Sequence, residues 1–405
     1  MGKVIRIGTR ESQLAVWQAT KVQQLLAENN FHSELVYIKS EGDIDLHTPL
    51  YEMGVQGIFT RSLDIALLTG KIDIAVHSMK DVPTQLPKGI AQAAVLKRAS
   101  HKDLFVYKEA DVVNVVNGEW SMVNKDSSKL EDLFTIHHSP LTIDDSPLTI
   151  DDSPLTIDDS PLTIDDSPLT IDDSPFTIDD SPLTIHHSQL TIHHSQLTID
   201  DSPLTIHPSP FTIATSSIRR KAQWLNRYPH HVIENLRGNV NTRLRKVAES
   251  NWQGAIFAAA GLERIGLRPE NSIELDWMLP APAQGAIMVV CRDADVFCLD
   301  ACGHFNDNLT ALCTKIERDF LRILLGGCST PISALAQIKD DTIIFKGNIL
   351  SVDGKEKVEV EMTKSSLDGS GLGTKENADL GVTAAHEILK RGGSEIVKGI
   401  SHATK

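Results

Sequence analysis

The stretch "KIDIAVHSMKDVP" (Lys71–Pro83) decides the fold class. Its first half is a short apolar run of the kind that forms a strand buried on both faces, and it breaks off into His77-Ser78-Met79-Lys80-Asp81 just before a proline. The same order recurs along the chain. "KVIRIG" reads as a strand, then Thr9-Arg10-Glu11-Ser12, then a helix with Ala15, Ala19, Val22 and Leu26 on one face and Ser12 as its N-cap. "FTIA" ends in Thr215-Ser216-Ser217, ahead of a helix bearing Arg219 and Arg220. "HVIEN" leads to Leu236-Arg237-Gly238-Asn239 and a helix carrying Arg243, and "GAIFAAAG" leads to Glu263-Arg264. Strands alternating with helices of these lengths predict α/β domains with mostly parallel sheets.

In such sheets ligands bind outside the carboxyl ends of the strands, where this chain places its arginines. Helix N-termini that begin with Ser or Thr add backbone N–H groups favourable to anions. Arg10, Arg219, Arg220, Arg237, Arg243 and Arg264 are therefore expected to line one crevice. Guanidinium forks bind carboxylate or phosphate bidentately, so the expected ligand is a small molecule with several acidic groups. Any one arginine could instead cap a helix or make a surface ion pair; repetition at several strand ends favours the ligand. No Walker loop, GxGxxG fingerprint or DNA-binding motif is present, and the expected partners include no nucleic acid.

The formal charge of -15 comes from one segment. Residues 134–210 repeat a seven-residue unit, "LTIDDSP" and its variants, eleven times, with 14 aspartates and no lysine, arginine or glutamate. The rest of the chain holds 40 acidic residues against 39 basic. Proline in most units excludes a coiled coil, since each costs about 3 kcal/mol inside a helix. Leu and Ile alternate across Thr as in a strand, and a small β-solenoid is one reading; disorder is the expectation, because so short a strand buries little. The His-His pairs (His137/His138, His186/His187) lack a scaffold for metal, and Cys298, Cys302 and Cys313 fit no zinc spacing, so no metal site is expected. The segment reads as an insertion in a loop, where length costs little. No apolar stretch approaches the ~20 residues of a membrane span, the N-terminus lacks a signal-peptide core, and five cysteines form no regular framework. A cytoplasmic, non-membrane protein is expected.

Two residues stand out for chemistry. Asp81, amid cations, is expected to be ionised and able to stabilise a developing positive charge or pass a proton; alternatively it pairs with Lys80 or starts the turn before Pro83. Cys328, in "LLGGCSTPI", has no CxxC partner for redox exchange and no local histidine base. Its two preceding glycines permit a turn that presents the side chain, and a buried inert thiol is the generic alternative.

Taken together, "IRIGTRESQLAVWQA", "HSMKDVPTQLP", "ATSSIRRKAQ", "LRGNVNTRL", "AAGLERIGL", "LPAPAQGA" and "LGGCSTPI" resemble the hydroxymethylbilane synthase (porphobilinogen deaminase) family, in order and across nearly all of the chain outside the repeat. The resemblance implies that Cys328 carries a dipyrromethane cofactor through a thioether, self-assembled from porphobilinogen. It implies stepwise deamination and head-to-tail condensation of four porphobilinogen molecules on that primer, then hydrolytic release of hydroxymethylbilane. By the same resemblance Asp81 is catalytic. Lys80, Ser12, Ser78, Thr215, Ser216, Ser217, Arg219, Arg220, Arg237 and Gly238 bind the cofactor, and Arg10, Arg243 and Arg264 bind substrate.

The family pattern implies three domains in a monomer. Domain 1 comprises 1–101 and 281–305, domain 2 comprises 102–280 with the repeat inserted, and domain 3, a small α/β domain, comprises 306–405. The first two are expected to resemble a periplasmic binding protein, with crossings near 100–104 and 278–282. "LTALCTKIERDFLRILLGG" reads as a helix leading to the Cys328 loop, with Leu312, Ile316 and Phe320 on one face. Gln56 replaces a lysine common in relatives, with Arg61 nearby to supply charge, and Ala283 replaces a common glycine, which is tolerable at negative φ. The alternatives are a non-catalytic two-lobed receptor for a small polycarboxylate, an enzyme inactivated by the insert, and a scaffold built on the repeat.

Overall fold

A computed structural model describes residues 3–39, 60–108, 111–116 and 119–124, nine short strands between 148 and 207, and residues 211–324, 330–365 and 379–403. The chain falls into two compact units, Met1–Lys108 with Ile213–Pro229 and Ile233–Lys405, and Glu109–Thr212 with His230–Val232. Cys328 and Gln56 lie outside the described residues.

From the N-terminus come β1 (Ile5–Thr9), α1 (Gln13–Glu28), β2 (Ser33–Tyr37), α2 (Arg61–Leu68), β3 (Ile74–Ser78), β4 (Ile90–Val95) and β5 (Asp103–Tyr107). The Ser12 side chain accepts from Ala15 N and caps α1, whose buried side holds Gln18, Ala19, Val22 and Leu26. Ile5, Ile7 and Ile74 pack against Ala19, Val22 and Leu26 on one face of the sheet. Ala75 and Val290 join Leu63, Leu67 and Met79 on the other. Burial on both faces is why "IDIAV" is apolar throughout rather than alternating.

In the second unit, β6 (Asp111–Val116) and β7 (Glu119–Asn124) form an antiparallel pair. The repeat then supplies β8 (Leu148–Ile150), β9 (Leu155–Asp158), β10 (Leu162–Asp165), β11 (Leu169–Asp172), β12 (Phe176–Asp179), β13 (Leu183–His186), β14 (Leu190–His193), β15 (Leu197–Asp200) and β16 (Leu204–His207). They form three parallel sheets ordered β10-β13-β16, β14-β11-β8 and β15-β12-β9. Each strand pairs with the one three repeats away, Leu162 opposite Leu183 and Leu183 opposite Leu204, so three seven-residue units make one 21-residue coil. The expectation of disorder here therefore meets regular backbone, the solenoid that the alternation of Leu and Ile left open. A single unit has nothing to pair with, whereas stacked coils satisfy one another's backbone.

The chain continues through β17 (Thr212–Ala214), α3 (Ile218–Arg227), β18 (Val232–Glu234), α4 (Val240–Glu249), β19 (Gly254–Ala258), α5 (Ala259–Glu263), β20 (Ser272–Glu274), β21 (Ile287–Arg292), α6 (Val296–Gly303) and α7 (Asn308–Ile323). One five-stranded sheet runs β2-β1-β3-β21-β4 and another β18-β17-β19-β5-β20. In the first, β1 is parallel to β2 and β3, while β21 is antiparallel to both β3 and β4. In the second, β17 and β19 are parallel, and β5 is antiparallel to β19 and β20. Each sheet thus carries one reversed strand, and that strand is the first after the chain passes from the other sheet. The third sheet, β22 (Ile332–Lys339), β23 (Thr342–Leu350) and β24 (Lys357–Ser365), is antiparallel and shares a core with α7 through Ile316, Phe320 and Phe345. The fold is mixed α/β with parallel-rich sheets.

Ala283 departs from expectation: its φ is +62°, in the left-handed region, and not negative. It is fully buried, and its N–H donates to Glu317 Oε2 at 2.6 Å, which ties it to α7 and accounts for the strained backbone.

Candidate functional site

The carboxyl end of β3 turns through a single 3-10 turn, Met79–Asp81, that presents Lys80 and Asp81. The turn is closed by Val82 N donating to Met79 O at 3.2 Å, and its start is fastened by Met79 N donating to Ala286 O at 3.0 Å. Gln18 on α1 donates its Nε2 to the Ser78 hydroxyl at 2.8 Å. Burial pushes the Lys80 ammonium down to about 8; Asp81 beside it pulls the other way, and the Arg220 cation adds to the depression. Burial and the Arg220 cation likewise bring Arg243 down to about 10, against the pull of Asp81, with Arg237 a further cation acting on it. Electrostatic influence thus links Lys80 with Asp81 and Arg220, and Arg243 with Arg220, Asp81 and Arg237. Burial, with the Arg10 cation adding to it, holds His77 on β3 down to about 4.

The head of α3 is built by its hydroxyls. Ser217 caps the helix by accepting from Arg220 N, Thr215 Oγ1 accepts from Ser217 N at 3.2 Å, and Ser216 is half-buried between them. Arg237 is buried, and Gly238 after it takes φ +117°, where an added Cβ would come within 2.7 Å of Thr242 Cγ2. Gly238 O accepts from Arg243 Nε at 2.8 Å, which aims that guanidinium.

Arg219 and Arg220 are placed differently from open forks awaiting a ligand. Both are buried, and both bind Asp103 at the start of β5: Arg219 Nη2 to Oδ2 at 2.8 Å, Arg220 Nη2 to Oδ1 at 2.8 Å. Arg219 Nη1 also donates to Leu279 O and Arg220 Nη1 to Ile256 O. Gln284 Nε2 adds a bond to Asp103 Oδ1 at 2.9 Å. Burial alone would raise the Asp103 carboxyl, but the two guanidinium cations hold it well below the usual carboxylate range. Arg264 is not grouped with the Lys80–Asp81 turn by its described partners. It donates Nη2 to Gly285 O and lies 5.8 Å from the Trp17 ring centroid.

Asp103, Gln284, Glu317 and Arg318 escape the sequence reading. Glu317 is fully buried and accepts from Arg98 Nη1, Ala283 N and Ala336 N. The available signal was a charge inside an apolar run, as in "KDLFV". Among the described residues no group of three or more His, Cys, Asp or Glu could hold a metal ion. Cys291, Cys298, Cys302 and Cys313 are buried, and burial pushes their thiols up, Cys291 to about 11.

Fold and site define a multi-sheet α/β protein with a turn-borne carboxylate, Asp81, within electrostatic reach of Lys80 and Arg243 at the carboxyl end of β3. The chain belongs to the porphobilinogen deaminase family. The family model described as "Porphobilinogen deaminase, dipyromethane cofactor binding domain" matches residues 5–129 and 186–300, and "Porphobilinogen deaminase, C-terminal domain" matches 311–390. A porphobilinogen deaminase of Trichlorobacter lovleyi is 30% identical over 402 residues, covering 98% of this chain and 97% of its own. One from Chlorobium phaeobacteroides is 30% identical over 405 residues, covering 99% of each. Among solved structures, the ligand-binding component of an ABC-type import system from Staphylococcus aureus is 11% identical over 80% of this chain and 75% of its own, with a TM-score of 0.32.

Proposed function

We propose that the Lys80–Asp81 turn is the reaction centre, with Asp81 as the catalytic residue and the surrounding cations as holders of pyrrole carboxylates. The activity is that of a hydroxymethylbilane synthase, a transferase of tetrapyrrole biosynthesis: porphobilinogen molecules are deaminated, joined head to tail, and released as hydroxymethylbilane. The observation that carries the assignment of roles is the placement of Asp81 beside Lys80, with Arg243 and Arg220 close enough to act electrostatically on the pair.

The residues present fit a dipyrromethane cofactor. Lys80 and Arg243 are both depressed by burial and by a neighbouring cation, so an arriving carboxylate relieves an existing penalty. Lys80 and Arg237 would hold its acetate and propionate groups, joined by Arg219 and Arg220 on their release from Asp103, with Ser12, Ser78, Thr215, Ser216 and Ser217 as hydrogen-bonding neighbours and Gly238 allowing close approach. Bound through a thioether to Cys328, the group supplies a pyrrole carbon nucleophile. The Asp81 side chain would face the pyrrole nitrogen of the substrate and stabilise the positive charge that develops as ammonia leaves. Arg10, Arg243 and Arg264 would receive substrate carboxylates. Domain 1 is 1–101 with 281–305, domain 2 is 102–280 and domain 3 is 306–405, the first two in the manner of a periplasmic binding protein. The protein is a cytoplasmic monomer whose repeat is a passenger in domain 2. Among the described residues no helix is long and apolar enough to cross a membrane.

Intact mass of the denatured protein, purified from cells beside Cys328→Ser and Asp81→Asn, tests this reading. Wild type and Asp81→Asn should carry an increment of two deaminated pyrrole units, Cys328→Ser none, and Asp81→Asn should turn over at least 100-fold more slowly, on the order of lost charge stabilisation at a developing cation. A wild type that stays unmodified after incubation with porphobilinogen would instead favour a receptor for small polycarboxylates.

A further inference from the structure

We infer that Arg318, on α7, is a positioning residue that sets the geometry of the Lys80–Asp81 turn; the inference rests on the reading of Asp81 as catalytic. Arg318 is 9% exposed and spreads its guanidinium across three backbone carbonyls: Nη1 donates to Met79 O at 3.3 Å and to Val82 O at 2.9 Å, and Nη2 donates to Pro83 O at 2.6 Å. Those carbonyls flank Lys80 and Asp81 on both sides. Across the turn itself, among the described residues, the chain makes one backbone hydrogen bond, Val82 N to Met79 O, and Arg318 adds three more.

Packing does not do this work alone. A cavity of about 470 Å³ lies beside the turn, lined by Met79, Thr84, Leu86, Gln92 and Leu312 together with Arg318. Met79 and Val82 are anchored in the core, and on the side that faces the cavity directional bonds add to that contact in fixing the backbone. A planar fork with donors in fixed directions can serve three carbonyls at once, whereas a lysine ammonium would have to choose among them.

The helix that bears Arg318 is itself immobilised. The adjacent Glu317 accepts from Arg98 on one side and from Ala336 N, in β22, on the other. Glu317 thus fixes where α7 lies, and Arg318 transfers that position to the turn. Catalytic geometry at Asp81 then depends on a residue that acts through the backbone of the turn. A backbone displacement near 1 Å at a reacting group can cost about 100-fold in rate.

The test uses cofactor-loaded full-length protein, with turnover normalised to the loaded fraction read from intact mass. Arg318→Gln and Arg318→Lys should load cofactor yet show kcat lowered roughly 10- to 100-fold, with KM for porphobilinogen within about threefold of wild type. Millimolar methylguanidinium added to Arg318→Ala should recover part of that kcat, which a loss of global stability would not allow. If kcat per loaded molecule stays within about twofold of wild type in Gln and Lys variants, Arg318 only supports the fold and the inference is wrong. Asp81→Asn in parallel separates the two readings: an active Asp81→Asn overturns the catalytic assignment itself, whereas an inactive one beside fully active Arg318 variants overturns only the positioning role.

Discussion

Arg220 gives both its Nε and its Nη2 to a single oxygen of Asp103, at 3.2 and 2.8 Å. Arg219 takes the other oxygen, so one buried carboxylate balances two buried guanidinium groups at the head of α3. Removing that charge leaves both cations uncompensated, a change that costs about 3–5 kcal/mol for a buried pair. Asp103→Asn should therefore lower the urea midpoint sharply and reduce the fraction of protein that carries cofactor. An unchanged midpoint would mean the arginines find their counter-charge elsewhere.

Ala283 occupies a left-handed conformation without solvent exposure. A Cβ there costs about 1 kcal/mol, and replacing it with glycine returns most of this after the entropy glycine loses on folding. Ala283→Gly is expected to raise the melting temperature by a few degrees, as a gain of about 0.5–1 kcal/mol would. Ala283→Val should lower it.

Asp73 ties Arg6 and Arg292 together through its two oxygens. Burial alone would raise its carboxyl, yet hydrogen bonds from the Arg6 side chain and backbone and from Arg292 bring it to about 2 from the usual 3.8. A depressed carboxyl contributes stability that is present above pH 3.8 and disappears as the pH falls toward 2, here about 2 kcal/mol. Wild type should lose stability across that window by this increment more than Asp73→Asn, measured by urea titration at fixed pH.

Lys80 bears on the pH dependence of ligand binding. At about 8 in the free protein, it is charged below that pH and neutral above it, and a bound carboxylate raises its value. The hold of Lys80 on a cofactor carboxylate is then full below about 8 and declines as pH rises through the higher, bound value. The stability that cofactor-loaded protein has over Cys328→Ser, read from urea midpoints between pH 7 and 10, should fall accordingly, and Lys80→Arg should move the inflection beyond the range.

Deleting residues 134–210 should leave turnover per loaded molecule within about twofold of the full chain, since an insertion in a loop changes closure entropy only slowly with length. Loss of all activity would make the repeat part of the enzyme.

The strand–helix alternation and the polar strand ends were legible because they are written in neighbouring residues. Ser12 and Ser217 cap their helices as their positions suggest, and Asp81 stands within electrostatic reach of both Lys80 and Arg243. The partnership of Asp103 with Arg219, Arg220 and Gln284 was not legible, because its members stand 116, 117 and 181 residues apart. Arg318 looked like one more charge on an amphipathic helix, since its acceptors are backbone carbonyls that every residue possesses. The φ of Ala283 is likewise invisible in its side chain, and only its tie to Glu317 explains it.

The 21-residue coil of the repeat has a consequence for copy number. Adding or removing three units inserts or deletes one whole coil and leaves every remaining strand with a like partner, Leu over Leu and Thr over Thr. Adding or removing a single unit shifts all later strands onto the next of the three sheets and turns the point where the chain leaves by a third of a circuit. Length variants of this segment should therefore be tolerated in triplets of the heptapeptide, a reading frame written in backbone pairing.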